Sequence, residues 1–193
     1  IKWVESVSAN REPFIQDGKV DIVVATYTIN DDRKKIVDFA GPYFVAGQTI
    51  LVKKDNTDIN GPDDLAGKTV CSVEGSTPAA NIEAKYPDVK LKLTDAYSNC
   101  LEPLRNDQVD AITTDNVILA GFVDQNPDEF KLAGEPFTEE PYGIGLPKGD
   151  DEFRNFINDV LEESFKDGSW AKAWEATAGK VLETPEPPAV DRY

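Results

Sequence analysis

The chain has 193 residues, of which 40% are apolar and 29% charged, so its length and composition suit one large globular domain or two small lobes. Asp and Glu (36) outnumber Lys and Arg (20), and the net charge of -16 argues against binding to a phosphate backbone. No histidine is present, which excludes Ser-His-Asp catalysis. No apolar run reaches the roughly 18 residues that a membrane-spanning helix needs.

The two cysteines, Cys71 and Cys100, leave two interpretations open. Without histidine they make a poor zinc site, and we expect neither a metal nor a cofactor. They could be buried thiols of a cytosolic protein or one disulfide of an exported protein. Cys71 lies in a strand-like run and Cys100 in the first turn of a predicted helix, so pairing is geometrically possible.

Strand-like and helical patterns alternate along the chain. Residues 8–19 predict a helix that ends at Gly18, and the β-branched run 20–26 predicts a strand buried on both faces. Further strands are predicted at 69–73, 89–94, 109–114, 130–134 and 142–147. Further helices are predicted at 61–68, 77–86, 98–108, 115–125, 153–165 and 169–179. This alternation predicts an α/β fold with mainly parallel sheets.

The last helices and the tail carry fewer functional signals. Apolar residues at helical spacing between Phe153 and Phe165 form an amphipathic stripe. Trp170 and Trp174 lie one turn apart and are interpreted as core packing rather than as a ligand site. The proline-rich segment 183–193 is expected to wrap the surface or to be mobile.

Polar residues follow three predicted strands, where parallel α/β sheets collect their ligands. These candidates are Thr26, Thr28 and Arg33 after the first strand, Gly75, Ser76 and Thr77 after the second, and Thr114 and Asp115 after a later one. An arginine fork together with helix-end amides would bind a carboxylate, and an opposing carboxylate would bind an ammonium group. The combination is complementary to a zwitterion, although Asp115 could simply cap the next helix.

Four motifs in series resemble the polar amino-acid solute-binding proteins with the type II periplasmic-binding fold. They are "VDIVVATYTINDDRKKIVDFAGPYF", "DLAGKTVCSVEGST", "LRNDQVDAITTDNVIL" and "EEPYGIGLPKGD". Within this family the chain is most similar to the glutamate-binding lipoproteins of Gram-positive actinobacterial importers. Relatives of this kind carry a similar cysteine pair, so the resemblance implies a disulfide between Cys71 and Cys100.

The resemblance implies two α/β lobes that close on a ligand like a Venus flytrap. Lobe 1 would hold residues 1–42 and 144–193, lobe 2 would hold residues 48–138, and residues 43–47 and 139–143 would be the hinges. Family members begin with a further strand and helix, and we expect this first strand and helix of lobe 1 to be missing from the present sequence.

The resemblance also implies residue roles. Arg33, Thr28 and the amide of Thr77 would bind the α-carboxylate, and Asp115 with the Thr26 carbonyl would bind the α-ammonium. Ser76 and Thr114 lie beside these residues and complete the expected ligand set. Relatives that select acidic side chains have a "Ser-x-Asn-Arg" stretch, and the matching "SANRE" assigns Ser8 and Arg11 to the distal carboxylate. Arg11 as an ordinary surface residue is the alternative.

The expected function is therefore non-catalytic capture of glutamate or aspartate outside the cytoplasm and delivery to the permease of an ABC importer. The protein would be a cell-surface lipoprotein or periplasmic, and any contact with the membrane would be through a lipid anchor that this sequence lacks. Three alternatives are a sensor ectodomain of the same fold, a binder of glutamine or another polar amino acid, and an enzyme on a related fold. Glu74 is the one spare carboxylate for catalysis, and it is interpreted as a solvated loop residue.

Overall fold

The computed structural model describes residues 1–193, which form two compact units. Unit 1 consists of Ile1–Val45 and Glu140–Tyr193, and unit 2 is the continuous segment Ala46–Glu139. The hinge roles of residues 43–47 and 139–143, and the lobe boundaries beside them, stay predictions.

Eight strands and seven helices make up the fold. The strands are β1 Val23–Thr28, β2 Asp38–Ala46, β3 Gln48–Lys53, β4 Thr69–Val73, β5 Lys90–Thr94, β6 Ala111–Asp115, β7 Phe130–Ala133 and β8 Glu140–Leu146. The helices are α1 Arg11–Gln16, α2 Asp31–Lys34, α3 Thr77–Lys85, α4 Leu101–Arg105, α5 Asn116–Gln125, α6 Asp151–Lys166 and α7 Ser169–Ala176. None of the helices is both long and apolar enough to cross a membrane.

Unit 1 is built on a three-stranded sheet in the order β1-β8-β2, with β1 antiparallel to β8. The prediction that its first strand is buried on both faces is wrong. The strand begins at Val23 rather than at residue 20, and Val24 remains 52% exposed. The reason is that one face of β1 packs on the core around Ile15, Tyr27 and Phe39, while the face that carries Val24 is not covered.

Unit 2 has a five-stranded sheet in the order β5-β4-β6-β3-β7. The predicted parallel pairing is found at β5-β4 and β4-β6, while β3 runs antiparallel to both β6 and β7. Hydrophobic clusters cover the two faces of this sheet, one around Ile50 and Val70 and the other around Leu51 and Ile112. The unit therefore has the layered α/β core that the alternating sequence pattern predicts.

The predicted disulfide is present. Cys71 on β4 is bonded to Cys100, which directly precedes α4, and their Cα atoms are 5.8 Å apart. Both cysteines are fully buried in the same cluster as Leu104 and Leu119. The bond links the central parallel strands of unit 2 to the helix that covers them.

The C-terminal helices and tail pack within unit 1. Helix α6 forms where the amphipathic stripe predicts it, but Phe156 is 62% exposed, so part of the apolar stripe faces outward. The Trp174 ring centroid lies 4.6 Å from that of Phe44, in agreement with a packing role. The tail wraps the surface along β2, where the Phe39 amide donates to the Tyr193 hydroxyl at 2.9 Å.

Candidate functional site

The two arginines that the sequence predicts as ligand groups lie on one tyrosine ring of unit 1. The guanidinium carbon of Arg11 is 4.5 Å from the centroid of the Tyr27 ring, and that of Arg33 is 5.0 Å from it. Arg11 is 3% exposed and Arg33 8%. Two buried cations on one aromatic ring are a concentrated positive site in a chain whose net charge is -16.

Arg11 is held by backbone carbonyls. Its Nε donates to the Ser8 carbonyl at 3.1 Å, and one terminal nitrogen donates to the carbonyls of Ala25 at 3.2 Å and Thr26 at 2.9 Å. The alternative that Arg11 is an ordinary surface residue is therefore wrong, because the side chain turns inward from the first residue of α1. The fixed guanidinium is an oriented cation, which is what recognition of a carboxylate requires.

The backbone of β1 is distorted beside Arg11. Thr26 has a φ of 44°, a conformation that is rare for a β-branched residue, and the pairing with β8 shifts register between Val23 and Tyr27. This bulge accompanies the hydrogen bond from Arg11 to the Thr26 carbonyl. Local strain of this kind is concentrated at functional sites.

Arg33 and Thr28 contact protein carboxylates. One terminal nitrogen of Arg33 donates to the Thr28 carbonyl at 2.8 Å, and its Nε lies 3.4 Å from Oε1 of Glu12. The Thr28 hydroxyl donates to Oε2 of Glu140 at 2.7 Å. Both groups predicted to bind the α-carboxylate of a ligand thus already face a negative charge of the protein.

The two tyrosine hydroxyls next to the arginines have raised pKa values. Burial raises the pKa of Tyr27 above its usual range, and the charge of Glu12 raises it further, against the opposing effect of Arg33 and Arg11. Burial likewise raises the pKa of Tyr43 to about 12, although the backbone of Thr26 and the charge of Arg11 lower it. Both hydroxyls are therefore neutral at physiological pH and suit hydrogen bonding rather than acid–base chemistry.

In unit 2 the turn after β4 forms a helix N-terminus. Gly75 has a φ of 75°, and Ser76 is the N-cap of α3, its hydroxyl accepting from the Ala79 amide at 3.2 Å and donating to the Val73 carbonyl at 2.7 Å. Pro78 occupies the first turn, where no backbone donor is needed. The backbone amide of Thr77 lies at the positive end of the helix dipole, which favours an anion.

Thr114 and Asp115 end β6 and are buried. The Asp115 side chain makes no cap hydrogen bond to α5. The Asn116 side chain instead accepts from the amides of Gly47 at 3.2 Å and Val117 at 3.0 Å. Asp115 therefore occupies the N-cap position of α5, but its side chain does not make the capping hydrogen bond.

The buried side-chain amide of Gln48 connects the elements that carry these residues of unit 2. The Gln48 side chain donates to the Pro78 carbonyl at 3.2 Å and to the Thr113 hydroxyl at 3.0 Å, and it accepts from Asn81 at 2.8 Å. It links the start of α3 to β6, so it holds Thr77 and Thr114 in a fixed relation within the unit. A glutamine that opens an apolar strand is the sequence signal that could have identified it.

The structure gathers the predicted residues into one group within each unit. Unit 1 holds Ser8, Arg11, Thr26, Thr28 and Arg33, and unit 2 holds Ser76, Thr77, Thr114 and Asp115. Sequence reasoning missed Glu12, Tyr27, Glu140 and Gln48, which contact these residues. No group of three or more Cys, Asp or Glu side chains is arranged to hold a metal ion.

The two α/β units, each with its group of candidate ligand-binding residues, define a ligand-binding protein of the type II periplasmic-binding fold. The profile of the bacterial extracellular solute-binding proteins, family 3, matches residues 1–177. The chain therefore belongs to this family, whose members are solute-binding proteins rather than enzymes.

Among its relatives, the chain is 44% identical over 186 residues to the glutamate-binding protein GluB of Corynebacterium glutamicum, covering 93% of this chain and 63% of the relative. It is 41% identical to the ABC transporter glutamine-binding protein GlnH of Bacillus subtilis, covering 90% and 63%. An ancestral arginine-binding protein bound to arginine has a TM-score of 0.86 and 42% identity, covering 91% of this chain and 79% of that one. The chain spans less than two thirds of the length of these two curated relatives.

Proposed function

We propose that the protein is an extracytoplasmic solute-binding protein that captures glutamate or aspartate and delivers it to the permease of an ABC importer. It would act as a cell-surface lipoprotein or in a periplasm. The 44% identity to a glutamate-binding protein supports this proposal, and so does the family to which the chain belongs.

The observation that carries the proposal is the pair of guanidinium groups on Tyr27. An acidic amino acid has two carboxylates, and each needs a local cation in a chain of net charge -16. Arg11 and Arg33 supply two cations within 5.0 Å of the same ring centroid. Their carbonyl partners fix their direction, which lowers the entropy cost of binding a planar carboxylate.

The proposed roles are those that the family resemblance implies. Arg33 binds the α-carboxylate with Thr28 and the Thr77 amide, and Arg11, beside Ser8, binds the distal carboxylate. Asp115, a buried carboxylate at the end of β6, binds the α-ammonium. The Thr26 carbonyl, which accepts from Arg11 at 2.9 Å, is the second proposed acceptor for the ammonium.

Glutamine is the second candidate ligand. A glutamine-binding relative at 41% identity supports this candidate.

Calorimetry of the protein expressed from its complete gene, titrated with glutamate, aspartate, glutamine, asparagine and arginine, tests the proposal. We expect glutamate or aspartate to bind most tightly. Preference for arginine, or no binding of any of the five, would overturn it.

A matched pair of variants then tests the role of Arg11. Arg11→Gln should weaken the binding of glutamate by about 2–5 kcal/mol and that of glutamine far less. Only bound glutamate would then have a desolvated charge without its cation. Arg192→Gln removes the same charge from an exposed residue of the same unit and should leave both affinities unchanged. An equal loss for both ligands in Arg11→Gln would mean that Arg11 supports the fold and does not read the side chain.

A further inference from the structure

Gln48 opens strand β3 directly across from Asp115, the last residue of β6. The two residues are Cα partners in the antiparallel pairing of β3 with β6, so their side chains lie on the same face of the sheet. Thr113, two residues before Asp115, shares this face, and its hydroxyl accepts from the Gln48 side chain at 3.0 Å. Gln48 is therefore anchored to the strand end that carries the proposed partner of the α-ammonium.

The same side chain reaches the first turn of helix α3. Its nitrogen donates to the carbonyl of Pro78 at 3.2 Å, and its oxygen accepts from the Asn81 side chain at 2.8 Å. Pro78 directly follows Thr77, whose backbone amide is the proposed donor to the α-carboxylate. One side chain thus connects the two elements of unit 2 that carry the proposed partners of the carboxylate and of the ammonium.

Beyond this polar end, the same face of the sheet is apolar. Ile50, two residues after Gln48 on β3, belongs to the hydrophobic cluster that includes Ile82 of α3. Gln48 is fully buried, and replacing a buried hydrogen-bonded network by apolar groups of the same shape is often nearly neutral for stability. Hydrogen bonds differ from apolar contacts because they fix direction and distance. The Gln48 network is therefore suited to holding α3 and β6 at a set spacing.

We propose that Gln48 is a positioning residue for the amino-acid head group, an inference that rests on the proposed function. It sets the spacing between the Thr77 amide and the Asp115 carboxylate, which must match a carboxylate and an ammonium carried by one carbon atom. Glutamate and glutamine have the same head group. Loss of the Gln48 network should therefore weaken both ligands by the same factor, whereas loss of Arg11 should act mainly on glutamate.

Calorimetry with glutamate and glutamine on the full-length Gln48→Met variant tests the proposal. Methionine keeps the length of the side chain and removes its amide. Partial loss of one hydrogen bond to a charged ligand group changes an affinity by about tenfold. We therefore expect both dissociation constants to rise about tenfold and their ratio to stay at the parent value. Asn81→Ala removes only the donor to the Gln48 oxygen, and it should raise both constants by a smaller, equal factor.

Val109→Ala is the matched control for a general loss of stability. Val109 is buried in the cluster on the other face of the same sheet, which contains Leu51 and Ile112. Its truncation should lower the melting temperature because it leaves a cavity. Both dissociation constants should stay at the parent values, because a protein that remains mostly folded binds with the affinity of its folded state.

The outcomes separate the two levels of inference. Parent affinity for both ligands in Gln48→Met and Asn81→Ala overturns the role of Gln48 while the proposed function stands. A loss confined to one ligand, or an equal loss in Val109→Ala, overturns it as well. If Gln48→Met does not fold, Asn81→Ala decides by the same criteria. A parent protein that binds neither ligand overturns the proposed function and this inference together. Equal weakening of both ligands in the network variants, with none in Val109→Ala, supports the proposal.

Discussion

Removing the Cys71–Cys100 disulfide should destabilise unit 2 substantially. The bond joins residues separated by 29 positions. In the loop-entropy model, a closed loop of this length removes about 12 cal/mol/K from the unfolded chain, or about 3.6 kcal/mol near room temperature. Both sulfurs lie in a fully buried cluster, so Cys71→Ala with Cys100→Ala also loses packing there.

Urea unfolding with and without reductant measures this loss. With a denaturant slope of about 1–3 kcal/mol/M, the circular-dichroism midpoint should fall by about 1–4 M in the double variant. Reductant should lower the parent midpoint and leave that of the variant unchanged. All three tryptophans lie in unit 1, so tryptophan fluorescence follows that unit separately. Equal midpoints for parent and variant would refute the reasoning.

Two further predictions concern single charges. Arg33→Ala and Asp115→Ala should each cost about 2–5 kcal/mol of amino-acid binding, which removes measurable affinity from a micromolar binder; calorimetry that finds parent affinity would place the site elsewhere. The second prediction concerns Asp38. Its burial raises the carboxyl pKa, but hydrogen bonds from Lys148 and from the Gly149 amide, together with other charges, lower it more. The pKa of Asp38 therefore lies below its usual value. The stabilisation of the folded protein by the ionised Asp38 side chain is therefore complete above the unfolded pKa of about 3.9, and it is lost as pH falls through the lower folded pKa. Asp38→Asn should lower urea stability at pH 7 by about 1–3 kcal/mol and by less at about pH 3; an equal loss at both pH values would contradict this.

Local sequence patterns predict most of the helices and the central strands. The turn before α3 carries Ser76 and Pro78, whose preferences for the cap and the first turn are independent of the rest of the fold. Strand β2 has no such local signal, because Gly41 and Pro42 interrupt it. Proline is tolerated there because β2 lies at an edge of its sheet, and only the tertiary structure supplies that information.

The candidate site likewise contains residues that the sequence predicts and contacts that only the tertiary structure shows. The position after the first predicted strand points to Arg33, and the family resemblance points to Arg11. Neither predicts that both lie on Tyr27, which directly follows that predicted strand. Glu12 and Glu140 are unremarkable in an acidic sequence. Their contacts with Arg33 and Thr28 depend on elements far apart in the chain, so local pattern analysis misses them.

The division into units has a consequence for the order of folding during synthesis. Unit 2 is continuous, so the ribosome delivers all of it before the second half of unit 1 exists. Strand β1 pairs with β8, for example Val23 with Gly145, and at about 5–20 residues per second this partner appears roughly 6–24 seconds later. During that interval Val23 and Tyr27 lack their sheet partner, so unit 1 is still incomplete when all residues of unit 2 are present.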